Sequence, residues 1–294
     1  MKKTSFPTFP PASIWSSPPA LLDLASHQVD IWRARLELPA DSLKTLEATL
    51  SVDEIKRADR FHFQKDKIRF VAAHGCLRDI LARYHHWEPG QLTFSANDNG
   101  KPALSTDLSE RRMDFNLSHS EDLALVAVTW ERKVGVDLER IRQGISAQVI
   151  ARQYFSRSEV AELLGLPSEQ REVGFFNCWT RKEAYIKAQG LGLSLPLDSF
   201  DVSVGPNEPV ILRATRPDPQ EAARWILLSL GVSAGYVAAL AVEGATVTGE
   251  AVSTLDLLGK SPSAHLPRMW SLTMPRSAGE GQELGFRFWD WNTR

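Results

Sequence analysis

Two long helical segments, each followed by a run of short apolar segments, dominate the pattern of this sequence of 294 residues. In residues 65–86 the side chains of Phe70, Ala73, Leu77 and Leu81 recur three and four positions apart, the spacing of one helix face. A second long helical segment fills residues 171–190 and ends at Gly190. Because strand-like segments follow both helices, we predict an α+β fold of two similar halves.

Composition and turn signals set the boundaries of these halves. Residues 1–27 are rich in Pro and Ser and are predicted to be a loose arm. Residues 28–134 form the N-terminal half and residues 135–245 the C-terminal half, while residues 246–294 are an extension whose role the sequence does not indicate. Ser51, with Glu54 three residues later, has the pattern of a capping box and predicts a helix start.

Charge and cysteine content narrow the function classes. The net charge of −2 argues against nucleic acid and anionic membranes as partners, but residues 56–83 hold eight basic side chains against three acidic ones. A small anionic ligand fits that local excess. The two cysteines form no Cys-x-x-Cys pair, so neither a disulfide framework nor a thiolate zinc site is indicated.

The uncharged stretch of residues 225–242 has the length of a membrane span, but Gly231, Ser233 and Gly235 divide it. We interpret it as two buried strands and expect a cytoplasmic protein.

Three acidic side chains carry the first functional hypothesis. Asp137 and Glu139 lie two apart in "GVDLERI", so both point to the same face of a strand. Glu183 and Lys187, four apart in "WTRKEAYIKA", share a helix face. Taken alone, Asp137 and Glu139 are more simply interpreted as solvated acids at a strand end. Taken alone, Glu183 and Lys187 are more simply interpreted as an exposed ion pair. Together the carboxylates form a hard-oxygen set suited to Mg²⁺, and Gly135 is expected to leave room for a ligand.

Groups suited to anions occur nearby in the sequence. Ser118 and His119 in "FNLSHS" are predicted at a turn or strand start, and Lys101 in "GKPAL" adds a positive charge. A lone histidine is more often structural than functional. Neither a P-loop nor a G-x-G-x-x-G fingerprint is present, so a bound phosphate would depend on individual side chains and a metal.

The ordered strings "RFHFQKDKIRFVAAHGCLR", "GKPAL", "FNLSHS", "GVDLE" and "WTRKEAYIKAQGLGLSLPLDSF" resemble the 4'-phosphopantetheinyl transferases of the surfactin-synthetase-activating type. The resemblance spans roughly residues 29–242. It implies two α+β halves related by a pseudo-twofold axis in a monomer, with coenzyme A in the cleft between them.

The resemblance also implies roles for individual residues. The Mg²⁺ ligands are expected to be Asp137, Glu139 and Glu183. Lys187 is expected on the pyrophosphate, and Ser118 and His119 on the 3'-phosphate of coenzyme A.

Further phosphate contacts are expected from Arg57, Arg69 and Lys101, and Glu159 matches a family acid near the metal that assists catalysis. Phe70 departs from the small hydroxyl residue that some relatives have, which leaves the adenosine contact there open.

The implied reaction transfers the phosphopantetheine arm of coenzyme A to a serine of an apo acyl or peptidyl carrier protein. Carriers of fatty-acid, polyketide and peptide synthesis are all compatible with the sequence. The general base stays open, because Glu183 cannot be both a tight metal ligand and a free base without an intervening water. A coenzyme A sensor without turnover and a Mg²⁺-dependent phosphodiesterase are the alternatives.

Overall fold

The structure is a computed structural model that describes residues 15–105, 111–142, 144–244, 270–272 and 284–293. The N-terminal half contains, in chain order, β1 (Gln28–Arg35), α1 (Ala40–Glu47), α2 (Val52–Ala58), α3 (Gln64–His85), β2 (Phe94–Ala96), β3 (Pro102–Leu104), β4 (Met113–Ser120) and β5 (Leu123–Trp130).

The C-terminal half contains β6 (Val134–Arg140), α4 (Ala147–Tyr154), α5 (Arg157–Gly165), α6 (Ser168–Gln189), β7 (Phe200–Val202), β8 (Leu212–Thr215), β9 (Trp225–Ser229) and β10 (Tyr236–Glu243). Two further strands, β11 (Trp270–Leu272) and β12 (Leu284–Asp290), belong to the extension.

The two halves share one topology, which confirms the predicted α+β fold of similar halves. In the first half β5 lies between β1 and β4, and in the second β10 lies between β6 and β9. All four of these strand pairs are antiparallel. Each half also has one helix of 22 residues, α3 or α6, followed by a two-stranded hairpin.

The uncharged stretch of residues 225–242 forms β9 and β10, as predicted. In the part of the chain that the structure describes, no helix combines the length and the apolar character that crossing a bilayer requires.

A buried ion pair joins α2 to α3, and α2 begins at the predicted position. Ser51 caps α2 in a complete capping box, and Glu54 is the acidic member of that box. The same Glu54 carboxylate accepts from Arg78 Nη2 at 2.6 Å. Arg78 also donates to two backbone carbonyls, those of Pro89 and Leu92, and so fixes the turn after α3.

Side chains, rather than backbone pairing, join the two halves along β4 and β6. Every second residue of β4 accepts a hydrogen bond from a backbone N–H of β6. The accepting residues are Asp114, Asn116, Ser118 and Ser120, and their respective donors are Val134, Val136, Leu138 and Arg140. We call these four β4 side chains the polar ladder. Because both strands advance by two residues at each step, the ladder runs along them in parallel.

The faces of the two sheets bury a common hydrophobic core. It combines side chains of β1 and β5 with those of β6, β9 and β10, and Leu284, Phe286 and Phe288 of the extension belong to it. The site described below lies beside this junction.

The extension, whose role the sequence does not indicate, supplies a strand to the N-terminal sheet. β12 pairs in parallel with β1, and Trp289 lies opposite Trp32. Arg287 forms a buried ion pair with Asp30 at 2.6 Å. Residues 246–269, 273–283 and 294 of the extension lie outside the described residues.

The N-terminal arm is packed where the structure describes it, so the prediction of a loose arm is wrong for residues 15–27. Ser16 forms a bridge to Trp289, and Leu22 and Leu24 are buried. Trp15 Nε1 donates to Gly231 O of the C-terminal half at 2.9 Å. Pro-rich composition therefore reflected the absence of regular structure rather than the absence of contacts.

Candidate functional site

Three acidic side chains face one another where β6 meets α6. β6 contributes Asp137 and Glu139, and α6 contributes Glu183. Desolvation raises the pKa of Glu183 and that of Glu139. Repulsion adds to both shifts, from Asp137 and Glu139 on Glu183 and from Asp137 on Glu139. The structure therefore brings the three carboxylates that the sequence singles out close enough for Asp137 to oppose the ionisation of both Glu139 and Glu183.

Gly135 allows this approach, but for a reason that differs from the expected one. A Cβ atom at this position would lie 2.1 Å from Ala184 O and 2.3 Å from Ala188 N. The space is filled by the backbone of α6, so the expectation that it would admit a ligand is wrong. Gly135 instead lets α6 pack directly on β6, which brings Glu183 towards Asp137.

Lys187 holds Asp137 through a short hydrogen bond. Its Nζ donates to Asp137 Oδ1 at 2.6 Å and to Ser118 Oγ at 3.0 Å. An ammonium group has three donors, and within the described residues these contacts use two of them. The Lys187 side chain is 29% exposed, so the third donor can point to a ligand. No group of three or more His, Cys, Asp or Glu side chains in the described parts of the chain is arranged to hold a metal ion.

Ser118 and His119 project in different directions, because neighbouring residues of a strand alternate. The buried Ser118 hydroxyl donates to Asp137 Oδ1 at 3.0 Å and accepts from Leu138 N at 3.2 Å. The sequence placed the pair at a turn or strand start, whereas β4 extends through both residues. The Ser118 hydroxyl consequently faces the carboxylates, and only His119 is exposed.

Three basic side chains lie around His119. Together with His119 we call them the basic rim: Arg69, His74 and Lys187. Desolvation lowers the pKa of His119 to about 4, and repulsion from His74, Lys187 and Arg69 adds to that shift. The imidazole is therefore neutral at pH 7. A cluster of groups that disfavours one more positive charge is an environment that favours an anion.

Of the two predicted arginines, Arg69 belongs to this rim and Arg57 lies close to it. Arg69 pairs with Glu121 at 2.9 Å. The exposed Arg57 guanidinium lies over the ring of Phe70, with its Cζ 5.5 Å from the centroid. Phe70 in turn stacks on His74 at a centroid distance of 4.0 Å. Phe70, where the sequence departs from some relatives, is buried and contacts both Arg57 and His74. It therefore supports the basic rim.

Lys101, expected on a phosphate, is used inside the fold. Its Nζ donates to Asp114 Oδ1 at 2.7 Å, to Val134 O at 3.1 Å and to Ala188 O at 3.2 Å. These contacts occupy all three donors of the ammonium group. Lys101 joins the polar ladder to the end of α6, and the expectation that it contacts phosphate is not supported.

Glu159, expected near the metal, is likewise engaged elsewhere. It is the acidic member of the capping box that Ser156 forms at the start of α5. Its carboxylate accepts from Val202 N at 2.8 Å and pairs with the fully buried Lys182 at 2.8 Å. The structure does not bring Glu159 to the carboxylate cluster, and its contacts support a structural role.

Two residues of this region were not singled out in the sequence. Ser120 donates to Glu139 Oε2 at 3.1 Å, and His74 belongs to the basic rim. Strand alternation from Ser118 would have indicated Ser120. His74 had no comparable signal, because its helix position reveals no partner across the fold.

Comparisons with known proteins identify the family. Residues 133–241 match the model of the 4'-phosphopantetheinyl transferase superfamily, and residues 38–131 match that of the 4'-phosphopantetheinyl transferase N-terminal region. The chain is 42% identical over 230 residues to 4'-phosphopantetheinyl transferase HetI of Nostoc sp. strain PCC 7120, covering 78% of this chain and 94% of that relative. The chain belongs to the 4'-phosphopantetheinyl transferase superfamily. It is a transferase, and the predicted family is confirmed.

Other relatives agree with this assignment. This transferase is 33% identical over 202 residues to putative 4'-phosphopantetheinyl transferase slr0495 of Synechocystis sp. strain PCC 6803, covering 69% of this chain and 79% of that one. It is 32% identical over 153 residues to 4'-phosphopantetheinyl transferase Sfp of Bacillus subtilis, covering 52% and 66%. Strands β1 and β12 both lie outside the two matched family regions.

The carboxylate cluster of this transferase suits a hard divalent cation. Asp137 Oδ2 is buried and has no hydrogen-bond partner among the described residues. An unpartnered carboxylate oxygen beside two more acids has the donor chemistry that Mg²⁺ requires. Because Asp137 Oδ1 contacts Lys187, binding there would require some rearrangement of these side chains.

Proposed function

We propose that this transferase moves the 4'-phosphopantetheine arm of coenzyme A onto a serine of an apo acyl or peptidyl carrier protein. Adenosine 3',5'-bisphosphate is released, and the reaction depends on Mg²⁺. The observation that carries this proposal is the meeting of Asp137, Glu139 and Glu183 beside Lys187 at the junction of the halves.

Asp137, Glu139 and Glu183 would hold the metal. When bound, Mg²⁺ would neutralise the charge of the pyrophosphate of coenzyme A. We assign the remaining donor of Lys187 to the 5'-phosphate of the leaving nucleotide, whose negative charge grows as the bond to it breaks.

The serine hydroxyl of the carrier is a weak nucleophile and must lose its proton as it attacks. Its oxygen forms a bond to the phosphorus that carries the pantetheine arm, and the bond from that phosphorus to the bridging oxygen breaks. We assign the proton to Glu183 through a water molecule, because a carboxylate that holds the metal cannot also accept directly as a free base.

His119 is proposed to contact the 3'-phosphate of coenzyme A, with Arg69 and Arg57 as further basic contacts. The Ser118 hydroxyl already donates to Asp137, so we assign the outward contact to His119. Cytoplasmic location, a monomeric state and the absence of nucleic-acid partners stay predictions.

The decisive experiment incubates the protein with coenzyme A, Mg²⁺ and an apo carrier protein and then weighs the carrier by mass spectrometry. A gain of one phosphopantetheine group on the carrier, with release of adenosine 3',5'-bisphosphate, is expected. Free phosphopantetheine instead supports a phosphodiesterase, and coenzyme A bound without product supports a sensor. Either of those results overturns the proposal.

Substitutions test the roles that we propose for individual residues. Asp137→Ala and Glu183→Ala should abolish transfer while the unfolding transition in urea persists. The matched control is Asp79→Asn, because Asp79 and Glu183 are each the sixteenth residue of their helix of 22 residues. The control should keep transfer. Near-normal Mg²⁺-dependent transfer by either alanine variant refutes the metal site.

A further inference from the structure

Two hydroxyl groups of the polar ladder contact the carboxylates of β6 in the same way. Ser118 Oγ accepts from Leu138 N and donates to Asp137 Oδ1. Ser120 Oγ accepts from Arg140 N at 3.0 Å and donates to Glu139 Oε2 at 3.1 Å. In each case the hydroxyl bonds one acid and the backbone N–H of the residue that follows it.

Donor and acceptor rules fix the direction of these bonds. A serine hydroxyl has one proton and can accept through its oxygen, whereas a backbone N–H can only donate. Because Ser120 Oγ accepts from Arg140 N, its proton is available for Glu139. That bond occupies Oε2 of Glu139 and leaves Oε1 for another partner, as Ser118 leaves Oδ2 of Asp137.

Glu139 depends on this contact more than Asp137 does. Asp137 is also held by Lys187. For the Glu139 carboxylate, the bond from Ser120 is the one hydrogen bond found within the described residues. A glutamate side chain has several rotatable bonds, so without Ser120 its carboxylate would sample more orientations.

We propose that Ser120 is a positioning residue that orients Glu139 for the metal, with Ser118 acting in the same way on Asp137. This inference rests on the proposed function, because it takes Glu139 as a Mg²⁺ ligand. Ser120 belongs to β4 of the N-terminal half, whereas Glu139 belongs to the C-terminal half. The polar ladder therefore links the geometry of the metal site to the junction between the halves.

The test measures Mg²⁺ binding by calorimetry in protein saturated with coenzyme A, apart from any turnover. Ser120→Ala should weaken Mg²⁺ binding by about tenfold, because loss of a partner that orients a ligand typically costs ten- to a hundredfold in metal affinity. Ser120→Thr keeps the hydroxyl and should bind Mg²⁺ within about twofold of the unaltered protein.

Asn116→Ala is the matched control for a purely structural effect. Asn116 occupies the same ladder and accepts from Val136 N at 2.9 Å, but the β6 residue that precedes Val136 is Gly135, which has no carboxylate. This variant should lower the urea midpoint without changing Mg²⁺ affinity. Equal weakening of Mg²⁺ binding by Asn116→Ala and Ser120→Ala overturns the inference, and so does normal Mg²⁺ binding by Ser120→Ala.

Failure of the proposed function gives a different result. If Mg²⁺ binds to the unaltered protein and Glu139→Ala abolishes binding, the metal site stands and the Ser120 result decides the inference alone. If the unaltered protein saturated with coenzyme A takes up no Mg²⁺, the proposed metal site and the inference built on it are both overturned.

Discussion

His119 shows how the surroundings of one residue determine what it can contribute. Desolvation of the ring by the surrounding protein, together with repulsion from His74, Lys187 and Arg69, lowers the pKa of its imidazole to about 4. At pH 7 the ring therefore offers an N–H donor rather than a charge. A neutral N–H still forms a charge-assisted hydrogen bond with an ionised phosphate, but it adds no positive charge of its own to attract the phosphate. Attraction of a phosphate to the basic rim therefore comes from the permanent cations, and His119 contributes geometry.

This distinction leads to a test of the proposed 3'-phosphate contact. His119→Ala should weaken coenzyme A binding by about tenfold, the order of one lost hydrogen bond to a charged group. It should leave binding of 3'-dephospho-coenzyme A unchanged. His119→Gln, which keeps a neutral donor, should retain part of the affinity. Equal losses for both ligands in a calorimetric titration would contradict the assignment.

At the scale of elements, the same device stabilises both halves. A short helix begins with a capping box whose glutamate pairs with a buried base of the following long helix: Glu54 with Arg78, and Glu159 with Lys182. Arg78 and Lys182 are each the fifteenth residue of their helix. Each also donates to two backbone carbonyls in the segment that follows the helix. Glu159 thus has a structural counterpart in Glu54.

The Glu54 pair predicts a pH dependence of stability. Burial alone would raise the pKa of Glu54, but hydrogen bonds from His74, Arg78 and Ser51 outweigh it and lower the pKa from 4.5 to about 2. A pKa depressed on folding stabilises the protein fully above the unfolded value. This contribution, on the order of 3 kcal/mol, should be lost as pH falls from about 4.5 to about 2.

Urea unfolding measured across that pH range checks this expectation. Glu54→Gln should be less stable at pH 7 and should show a flatter dependence below pH 4.5. An unchanged acid slope in this variant would show that other carboxylates carry the effect.

The contact between β6 and α6 gives a second prediction at this scale. Gly135→Ala would place a methyl group against backbone atoms of Ala184 and Ala188, which cannot rotate away. We expect a loss of about 3 kcal/mol in the free energy of unfolding. We also expect reduced transfer, because α6 must move away from β6.

Gly165→Ala is the matched control for this variant, since a Cβ atom there would meet nothing within 4 Å. Urea unfolding should give similar midpoints for the control and the unaltered protein. A Gly135→Ala protein as stable as the control would show that α6 does not constrain this position.

At the scale of the whole molecule, the N-terminal half has a counterpart of the site in which an aromatic ring takes the place of Asp137. Trp32 of β1 lies opposite the fourth residue of β5, as Asp137 of β6 lies opposite the fourth residue of β10. Arg83 occupies the same helix position as Lys187, and its Cζ lies 5.9 Å from the Trp32 ring centroid. Trp289 of the extension covers Trp32. The pseudo-symmetric position is therefore closed by packing.

The extension is predicted to be essential to this packing. Asp30 is fully buried and accepts from Arg287 at 2.6 and 2.8 Å. Arg287→Ala leaves that carboxylate without its base and should destabilise the protein by about 3–5 kcal/mol. The exposed pair of Arg216 and Asp201 provides the control, because Arg216→Ala should cost no more than about 1 kcal/mol. Thermal unfolding of both variants measures the difference, and equal losses would contradict the structural role of the extension.

Local patterns in the sequence determined the elements and the chemistry of this protein. Periodicity gave the long helices, a two-residue spacing placed Asp137 and Glu139 on one face, and the ordered motifs indicated the transferase family. These features depend on neighbours along the chain, so they can be recognised from the sequence without knowledge of the fold.

Only the tertiary structure decided which polar groups are already engaged. In the tertiary structure Lys101 donates to groups in the protein interior, and Glu159 pairs with Lys182. The backbone of α6 fills the space beside Gly135, and a strand from the far end of the chain pairs with the edge of β1. Each of these contacts joins residues distant in sequence. Sheet pairing and helix packing set such contacts, and a local pattern does not encode which distant partner an acid, a base or a strand edge will meet.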